Sequence, residues 1–165
     1  GVFGLRGVEL KYATAHRDHL HVNYGKRTAK GSTEARDVPI LDPAGRAGLG
    51  QQLLMTLSSG ITELPPLGST DKAASGAIDT FLRRNDVWME YKSDAKAMGQ
   101  RVSLYSLRHC FADRCAMATP PIPPKAAAVA MGHSLQVHLQ TYQRQHSLKL
   151  VKEAFETSNT SKVAI

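Results

Sequence analysis

Several features that would define a specialised class of protein are scarce or absent in this sequence of 165 residues. No run approaches the roughly 20 apolar residues that span a bilayer, and no signal peptide is visible, so we expect no membrane association. No glycine-rich nucleotide-binding loop or internal repeat occurs. The two cysteines, Cys110 and Cys115, point in different directions on one predicted helix, which argues against a disulfide or a zinc pair. We therefore expect a cytoplasmic protein.

Acidic residues are also in deficit. The chain has 14 Asp and Glu against 21 Lys and Arg, which gives a formal net charge of +7. This excess favours contact with a polyanion such as DNA, although a merely basic soluble protein has the same balance. The length and a hydrophobic content of 42% allow one domain with a genuine core. We expect a single domain over residues 1–165.

The residue pattern predicts an α+β fold that is mainly helical, with a small antiparallel β-sheet. Residues 20–24 and 34–40 alternate between apolar and polar side chains around a run of turn residues, which predicts a β-hairpin or two strands of a small sheet. Gly4 to Tyr12 is predicted to end a helix, and Arg6 would lie beside Glu9 there. Three neighbouring histidines, His16, His19 and His21, are predicted to form a solvated cluster rather than a metal site.

The other predicted helices have recognisable start and stop signals. Asp42 as cap and Pro43 in the first turn predict a helix through Ser58. Trp88 is predicted to lie in the core. Further helices are predicted from Thr70 or Asp71 to Ala97 with a break allowed near Asn85, from Ser103 to the TPPIPP run, from Lys125 to Met131 with Gly132 as C-cap, from Leu135 to His146, and from Lys149 to Glu156.

Three side chains between residues 103 and 144 suggest a common chemistry. Arg108 offers a rigid fork that matches phosphate oxygens, and His133 can donate a hydrogen bond to the same group. The hydroxyl of Tyr142 can attack phosphorus and hold it covalently. If these three residues converge, they form a phosphoryl-transfer site that needs no metal.

Three sequence blocks then identify a family resemblance. GLRGVEL at the start of the chain, the SLRHCF run and the MGHS run with a tyrosine nine positions after its histidine resemble the conserved blocks of the tyrosine recombinases, or phage integrases. The blocks occur in the family's order and span Gly4 to Arg144. The resemblance implies the catalytic-domain fold of that family.

The resemblance also implies a mechanism. Tyr142 would attack a DNA phosphate and form a 3′-phosphotyrosyl link, Arg6 and Arg108 would brace the nonbridging oxygens, and His133 would add a hydrogen bond. Lys26, in the predicted turn, would protonate the departing 5′ oxygen, with Lys30 as its rival, and Glu9 would orient the site. No metal, ATP or other cofactor is implied, because the covalent link conserves the energy of the phosphodiester.

The same resemblance implies that the chain is part of a longer protein. An upstream DNA-clamping domain and the first helix of the catalytic domain would precede it, and a tetramer would assemble on two DNA duplexes. The fragment alone would be monomeric. In the family the last helix docks on a neighbouring protomer, so Leu148, Val151 and Phe155 would form an apolar face that needs a partner. Target sequence and direction of recombination stay open.

One position departs from the family pattern. Tyr105 stands where the family usually has a histidine three residues before its second arginine, and a phenol cannot carry an imidazolium charge near neutral pH. His109 is predicted to pack against the fold. The departure keeps open a DNA-binding relative that no longer cuts. Two further alternatives are a nicking and relaxing enzyme similar to type IB topoisomerases, which use a similar set of residues, and a structural helical domain, in which these residues would lie far apart.

Overall fold

The computed structural model describes residues 1–24, 27–28, 31–32, 34–60, 64–142 and 155 of the chain. A 3₁₀ helix, Gly7–Tyr12, opens the fold and leads directly into the first strand. A three-stranded antiparallel sheet with the order β1-β2-β5 follows, and β3 pairs with β4 in a separate two-stranded ribbon. The strands are β1 (Ala13–Ala15), β2 (His19–Val22), β3 (Arg27–Thr28), β4 (Gly31–Ser32) and β5 (Arg36–Pro39).

Six α-helices make up most of the remaining described chain. Their bounds are α1 (Leu49–Ser58), α2 (Asp71–Arg83), α3 (Asp86–Ala97), α4 (Leu104–Met117), α5 (Pro124–Ala130) and α6 (Leu135–Tyr142). The described part is thus mainly helical with a small antiparallel sheet, which confirms the predicted α+β class at that level.

The core lies between the sheet and the helices α4, α5 and α6. The register of β2 against β5 pairs Leu20 with Val38, and this pair is nearly inaccessible to solvent. Phe111 from α4 and Met131 after α5 pack in the same cluster. The alternation along β2 and β5 therefore directs one face of each strand into the protein, as the sequence pattern predicts.

Several predicted boundaries are confirmed. Thr70 caps α2 through its side chain, Asn85 caps α3 and separates the two helices, and Ser103 begins α4 with a capping box. Gly132 follows α5 with a φ of 66°, in the left-handed region that glycine tolerates best. The helix predicted after Tyr142 lies outside the described residues, apart from Phe155.

Three predictions were wrong. The segment from Gly4 forms a 3₁₀ helix that begins only at Gly7. Helix α1 begins at Leu49 rather than near Asp42, whose carboxylate instead accepts hydrogen bonds from the backbone N–H groups of Gly48 and Gly50 at 2.7 Å each. Trp88 is only half-buried, because among the described elements α3 packs mainly against α2.

Candidate functional site

Four separated segments meet at one end of the sheet. They are the N-terminal stretch with the 3₁₀ helix, strand β5, helix α4, and the turn that joins α5 to α6. The backbone of Gly4, at φ 59°, packs so tightly on Phe111 that a Cβ there would lie 2.5 Å from the ring. This close approach of the N-terminal stretch to α4 brings the first and second sequence blocks together.

Arg6 and Glu9 form the predicted pair across one turn of the 3₁₀ helix. Arg6 donates from its backbone N–H to Glu9 Oε2 at 2.7 Å and from Nη1 to Oε1 at 2.6 Å. Its Nη2 reaches the carbonyl oxygen of Gly132 at 3.0 Å. The Arg6 side chain is 22% exposed, so it lies at the mouth of the site.

Glu9 is completely buried and lies among three guanidinium groups. Besides Arg6, its carboxylate lies 3.0 Å from Nη2 of Arg36 and 3.8 Å from Nη1 of Arg108. A buried charge without partners is strongly unfavourable, and here one carboxylate faces several cations. Glu9 is therefore the central counter-ion of the cluster.

Arg108 is fully buried on the inner face of α4. Its Nη1 donates to the carbonyl oxygen of Gly4 at 2.6 Å, and its Nη2 donates to the carbonyl oxygen of Met131. Nη2 also contacts His133 Nδ1 at 2.9 Å, and Nε donates to the Tyr142 hydroxyl at 3.1 Å. All three nitrogens of this guanidinium are thus held by other parts of the chain.

His133 lies directly after Gly132 and faces both Arg108 and α6. Since a guanidinium can only donate, Nδ1 of His133 accepts, and the ring proton lies on Nε2, which donates to His138 Nδ1 at 3.1 Å. Burial and the nearby guanidinium of Arg108 lower the pKa of His133 to about 3. His133 is therefore neutral over the physiological range.

Tyr142 ends the described part of α6 and points into the cluster, with 4% of its surface exposed. Its hydroxyl lies 3.1 Å from the Tyr105 hydroxyl as well as 3.1 Å from Arg108 Nε. Burial and the hydrogen bond to Tyr105 raise the pKa of Tyr142 to about 12, although Arg108 opposes the shift. The phenol is thus protonated, and Tyr105, 46% exposed, connects it to solvent.

The structure brings together the predicted residues Arg6, Glu9, Tyr105, Arg108, His133 and Tyr142. Lys26 and its rival Lys30 lie outside the described residues. His109 is half-buried, and its ring lies 5.2 Å from that of Tyr105 and 4.8 Å from that of Tyr142.

Two members of the cluster were not predicted. Arg36 on β5 is 7% exposed and donates from Nε to the carbonyl oxygen of Ala130 at 2.8 Å. Burial lowers its pKa, while the ion pair of Nη2 with Glu9 opposes the shift, and Nη1 has no hydrogen-bond partner among the described residues. The signal was available, because Arg36 is two residues before Val38 and so shares the inward face of the strand.

The second missed residue is His138 on α6, which is 4% exposed. Burial and Arg108 lower its pKa below the ordinary value for histidine. Its position four residues before Tyr142 on the same helix was the signal that sequence reasoning overlooked.

The histidine cluster near the β1–β2 turn lies apart from these residues. His16 stacks on His19 with the ring centroids 4.7 Å apart, and Asp37 accepts from His21 Nδ1 at 2.7 Å. The sequence showed no acidic partner, yet the sheet register places Asp37 opposite His21. Among the described residues, no group of three or more His, Cys, Asp or Glu side chains is arranged to hold a metal ion.

Within the described ranges, no helix has both the length and the apolar character that crossing a membrane requires.

Comparison with known proteins gives one informative similarity. Excisase A of Nostoc sp. (strain PCC 7120 / SAG 25.82 / UTEX 2576) is 48% identical over an alignment of 108 residues, and the match covers 52% of this chain and 22% of that protein. The chain thus spans about a fifth of the length of this curated relative. No family model matches the chain, and no solved structure matches it significantly.

Proposed function

We propose that this chain belongs to a tyrosine-type site-specific DNA recombinase, in which it cleaves and rejoins DNA through a 3′-phosphotyrosyl intermediate. The observation that carries the proposal is the convergence of Arg6, Arg108, His133 and Tyr142, which are far apart in sequence and belong to three separate blocks. The name of the similar protein, Excisase A, denotes excision and agrees with a role in DNA recombination.

In the proposed reaction, the Tyr142 oxygen forms a bond to the scissile phosphorus as the bond to the 5′ oxygen breaks. Lys26 donates a proton to that 5′ oxygen, and Arg6 and Arg108 stabilise the charge that develops on the nonbridging oxygens. His133, neutral and protonated on Nε2, donates a further hydrogen bond. Removal of one such donor typically raises the barrier by about 3 to 4 kcal/mol.

The geometry adds a requirement for the nucleophile. Tyr142 must lose its proton, and its hydroxyl is hydrogen-bonded to Tyr105. Because Tyr105 is 46% exposed, it can accept this proton while it passes its own to water. In this proposal Tyr105 replaces the family's histidine as a proton relay rather than as a base.

Access to phosphate also requires a rearrangement. Arg108 is inaccessible to solvent, and its Nε is hydrogen-bonded to the Tyr142 hydroxyl. A phosphate oxygen would take the place of that hydroxyl, which frees the phenol for attack. Binding of DNA and release of Tyr142 from Arg108 are therefore one coupled event.

The proposed recombinase function also implies the partners and the assembly of the protein. Residues 1–165 form one catalytic domain that binds double-stranded DNA in the cytoplasm, and four copies of a longer protein assemble on two duplexes. Glu9 holds the guanidinium groups of the site in place. No metal or ATP takes part, since one phosphodiester is exchanged for another.

A second candidate function is that of a DNA-binding relative of the recombinases that does not cut DNA. The similarity to Excisase A agrees equally well with this function. The burial of Arg108 and the raised pKa of Tyr142 favour it, because both oppose attack on a phosphate. This candidate predicts DNA retention without a covalent product.

Covalent trapping separates the two candidates. Short duplex fragments of DNA from the host of this protein would be incubated with it. Because the fragments are short, the cleaved 5′ strand end diffuses away and the 3′ end stays linked to Tyr142. Wild type should give a denaturant-resistant adduct, and Tyr142→Phe should give none. Tyr91→Phe, on α3 and 64% exposed, is the matched control and should behave as wild type.

Each result has a clear meaning. Binding without an adduct in wild type would refute the cleavage proposal and favour the non-cutting module. An adduct that persists in Tyr142→Phe would refute the assignment of the nucleophile. Relaxation of supercoiled DNA without exchange between two sites would point to the topoisomerase-like alternative.

A further inference from the structure

His138 is buried in the site, although none of the three sequence blocks assigns it a role. Its ring lies beside those of His133 and Tyr142, with a centroid distance of 5.3 Å to each, and those two rings are stacked on one another at 5.4 Å. Its Nδ1 lies 3.1 Å from His133 Nε2. Because His133 Nε2 carries the ring proton, His138 Nδ1 is the acceptor, and the proton of His138 lies on its own Nε2.

We propose that His138 is a positioning residue that holds the His133 ring in one orientation and one tautomer, with its donor Nε2–H directed toward the site. This inference deepens the proposed function and rests on it. In the DNA-free protein His138 Nδ1 accepts the hydrogen bond from His133 Nε2–H. When DNA binds, a nonbridging phosphate oxygen replaces His138 as the acceptor of this hydrogen bond.

Helix α6 provides the rigid support for this contact. The backbone N–H of His138 donates to the carbonyl oxygen of Ser134, so His138 occupies a regular helical position one turn after the start of α6. His133 precedes the helix and is anchored on its other side by Arg108. The imidazole of His133 is thus held at both nitrogens, one by α4 and one by α6.

The charge around His133 explains why a neutral acceptor suits this place. Arg108, Arg6 and Arg36 all disfavour a positive charge on His133. A lysine at position 138 would add a further cation and could not accept a hydrogen bond. A neutral imidazole accepts the proton and adds no charge.

Without an acceptor at position 138, the His133 ring loses one of the two hydrogen bonds that fix its orientation. Rotation by half a turn about the Cβ–Cγ bond would move Nε2 away from α6 and would also break the contact of Nδ1 with Arg108. The loss of one hydrogen bond of this kind corresponds to about a tenfold change in a population or a rate.

The tautomer can be measured on the 165-residue chain without DNA. Long-range ¹H–¹⁵N NMR spectra of histidine-labelled protein distinguish a protonated from an unprotonated ring nitrogen. Wild type should show His133 with Nε2 protonated and Nδ1 unprotonated. His138→Leu should give averaged shifts for both nitrogens, and His138→Asn, which keeps an acceptor near the place of Nδ1, should restore the wild-type values.

Gln140→Leu is the matched control, because residue 140 is exposed on the same helix. It should leave the His133 shifts unchanged. Circular dichroism would verify that each variant is folded. Wild-type shifts in His138→Leu, or a folded His138→Asn that still shows averaged shifts, would overturn the inference.

The covalent trapping assay supplies the functional arm. His138→Leu should form the adduct about tenfold more slowly than wild type at unchanged DNA affinity, and His138→Asn should recover most of that rate. An equal rate in His138→Leu would overturn the positioning role. Absence of any adduct in wild type would count against the proposed function instead, since the NMR result does not depend on cleavage.

Discussion

The charge of Glu9 should stabilise the fold as well as orient the site. Its buried carboxylate accepts two hydrogen bonds from Arg6 and lies 3.0 Å from Arg36 and 3.8 Å from Arg108. Glu9→Gln keeps the size and shape of the side chain but removes the charge, and its NH₂ group would face guanidinium donors. Breaking a buried ion pair from one side typically costs about 3 to 5 kcal/mol.

A loss of that size would be a large part of the roughly 5 to 15 kcal/mol by which domains are stable. Urea unfolding followed by far-ultraviolet circular dichroism would measure it. Glu90→Gln, at an exposed position on α3, is the control and should change the free energy of unfolding by less than about 0.5 kcal/mol. A loss below about 1 kcal/mol for Glu9→Gln would refute the reasoning that its charge holds the cluster.

A double-mutant cycle with Arg36→Met tests which cation depends on Glu9. In the Glu9→Gln background Arg36 is a buried charge without an acid, so its removal should relieve part of the loss. The double variant should therefore be more stable than the sum of the single effects predicts, by about 0.5 to 3 kcal/mol. Strict additivity would contradict the assignment of Glu9 as the shared counter-ion.

Three further outcomes are expected. Gly132→Ala would place a Cβ 2.7 Å from the buried guanidinium of Arg36, so it should lower the urea midpoint of unfolding. The loss should be clearly larger than for Gly60→Ala, where φ is 67° and the space is open. Equal losses would show that backbone strain alone is responsible. Because the pKa of His133 falls from 6.5 to about 3 on folding, only the unfolded state gains this proton between those values. The free energy of unfolding should therefore fall as pH drops through that window. Urea unfolding at pH 7 and at pH 5 should show a smaller loss of this free energy for His133→Gln than for wild type. Under the proposed function, Tyr105→His should preserve or raise the yield of Tyr142 adduct, and a clear loss would refute the alignment of that position with the family's histidine.

Local signals allowed much of the fold to be predicted from the sequence. Alternation located β2 and β5, and the capping residues Thr70, Asn85 and Ser103 located three helix starts. These features depend on neighbours within a few residues, and such neighbours are visible in a sequence. The predicted start of helix α1 is too early because an aspartate such as Asp42 can cap either a helix or a loop. Here its carboxylate binds the backbone N–H groups of Gly48 and Gly50, a contact that the sequence pattern does not predict.

The grouping of the site residues was predicted from the order of the sequence blocks, but their contacts were not. Arg6 beside Glu9 follows from a spacing of three residues. The contact of Glu9 with Arg36 does not, since it depends on how β5 packs against the 3₁₀ helix. The burial of Arg108 and the hydrogen bond between His133 and His138 likewise depend on tertiary packing, which spacing alone does not encode.

The hydrogen bonds from Arg108 to Gly4, from Arg114 to Gly1 and from Arg6 to Gly132 join residues 104, 113 and 126 positions apart. Closing loops of this length costs conformational entropy that contacts between near neighbours do not incur. The site cannot assemble from any one half of the chain, and a partial unfolding that releases the first dozen residues would dismantle it. An intact candidate site therefore requires complete folding, and protection of the Gly4–Glu9 amides from hydrogen exchange should rise and fall with it.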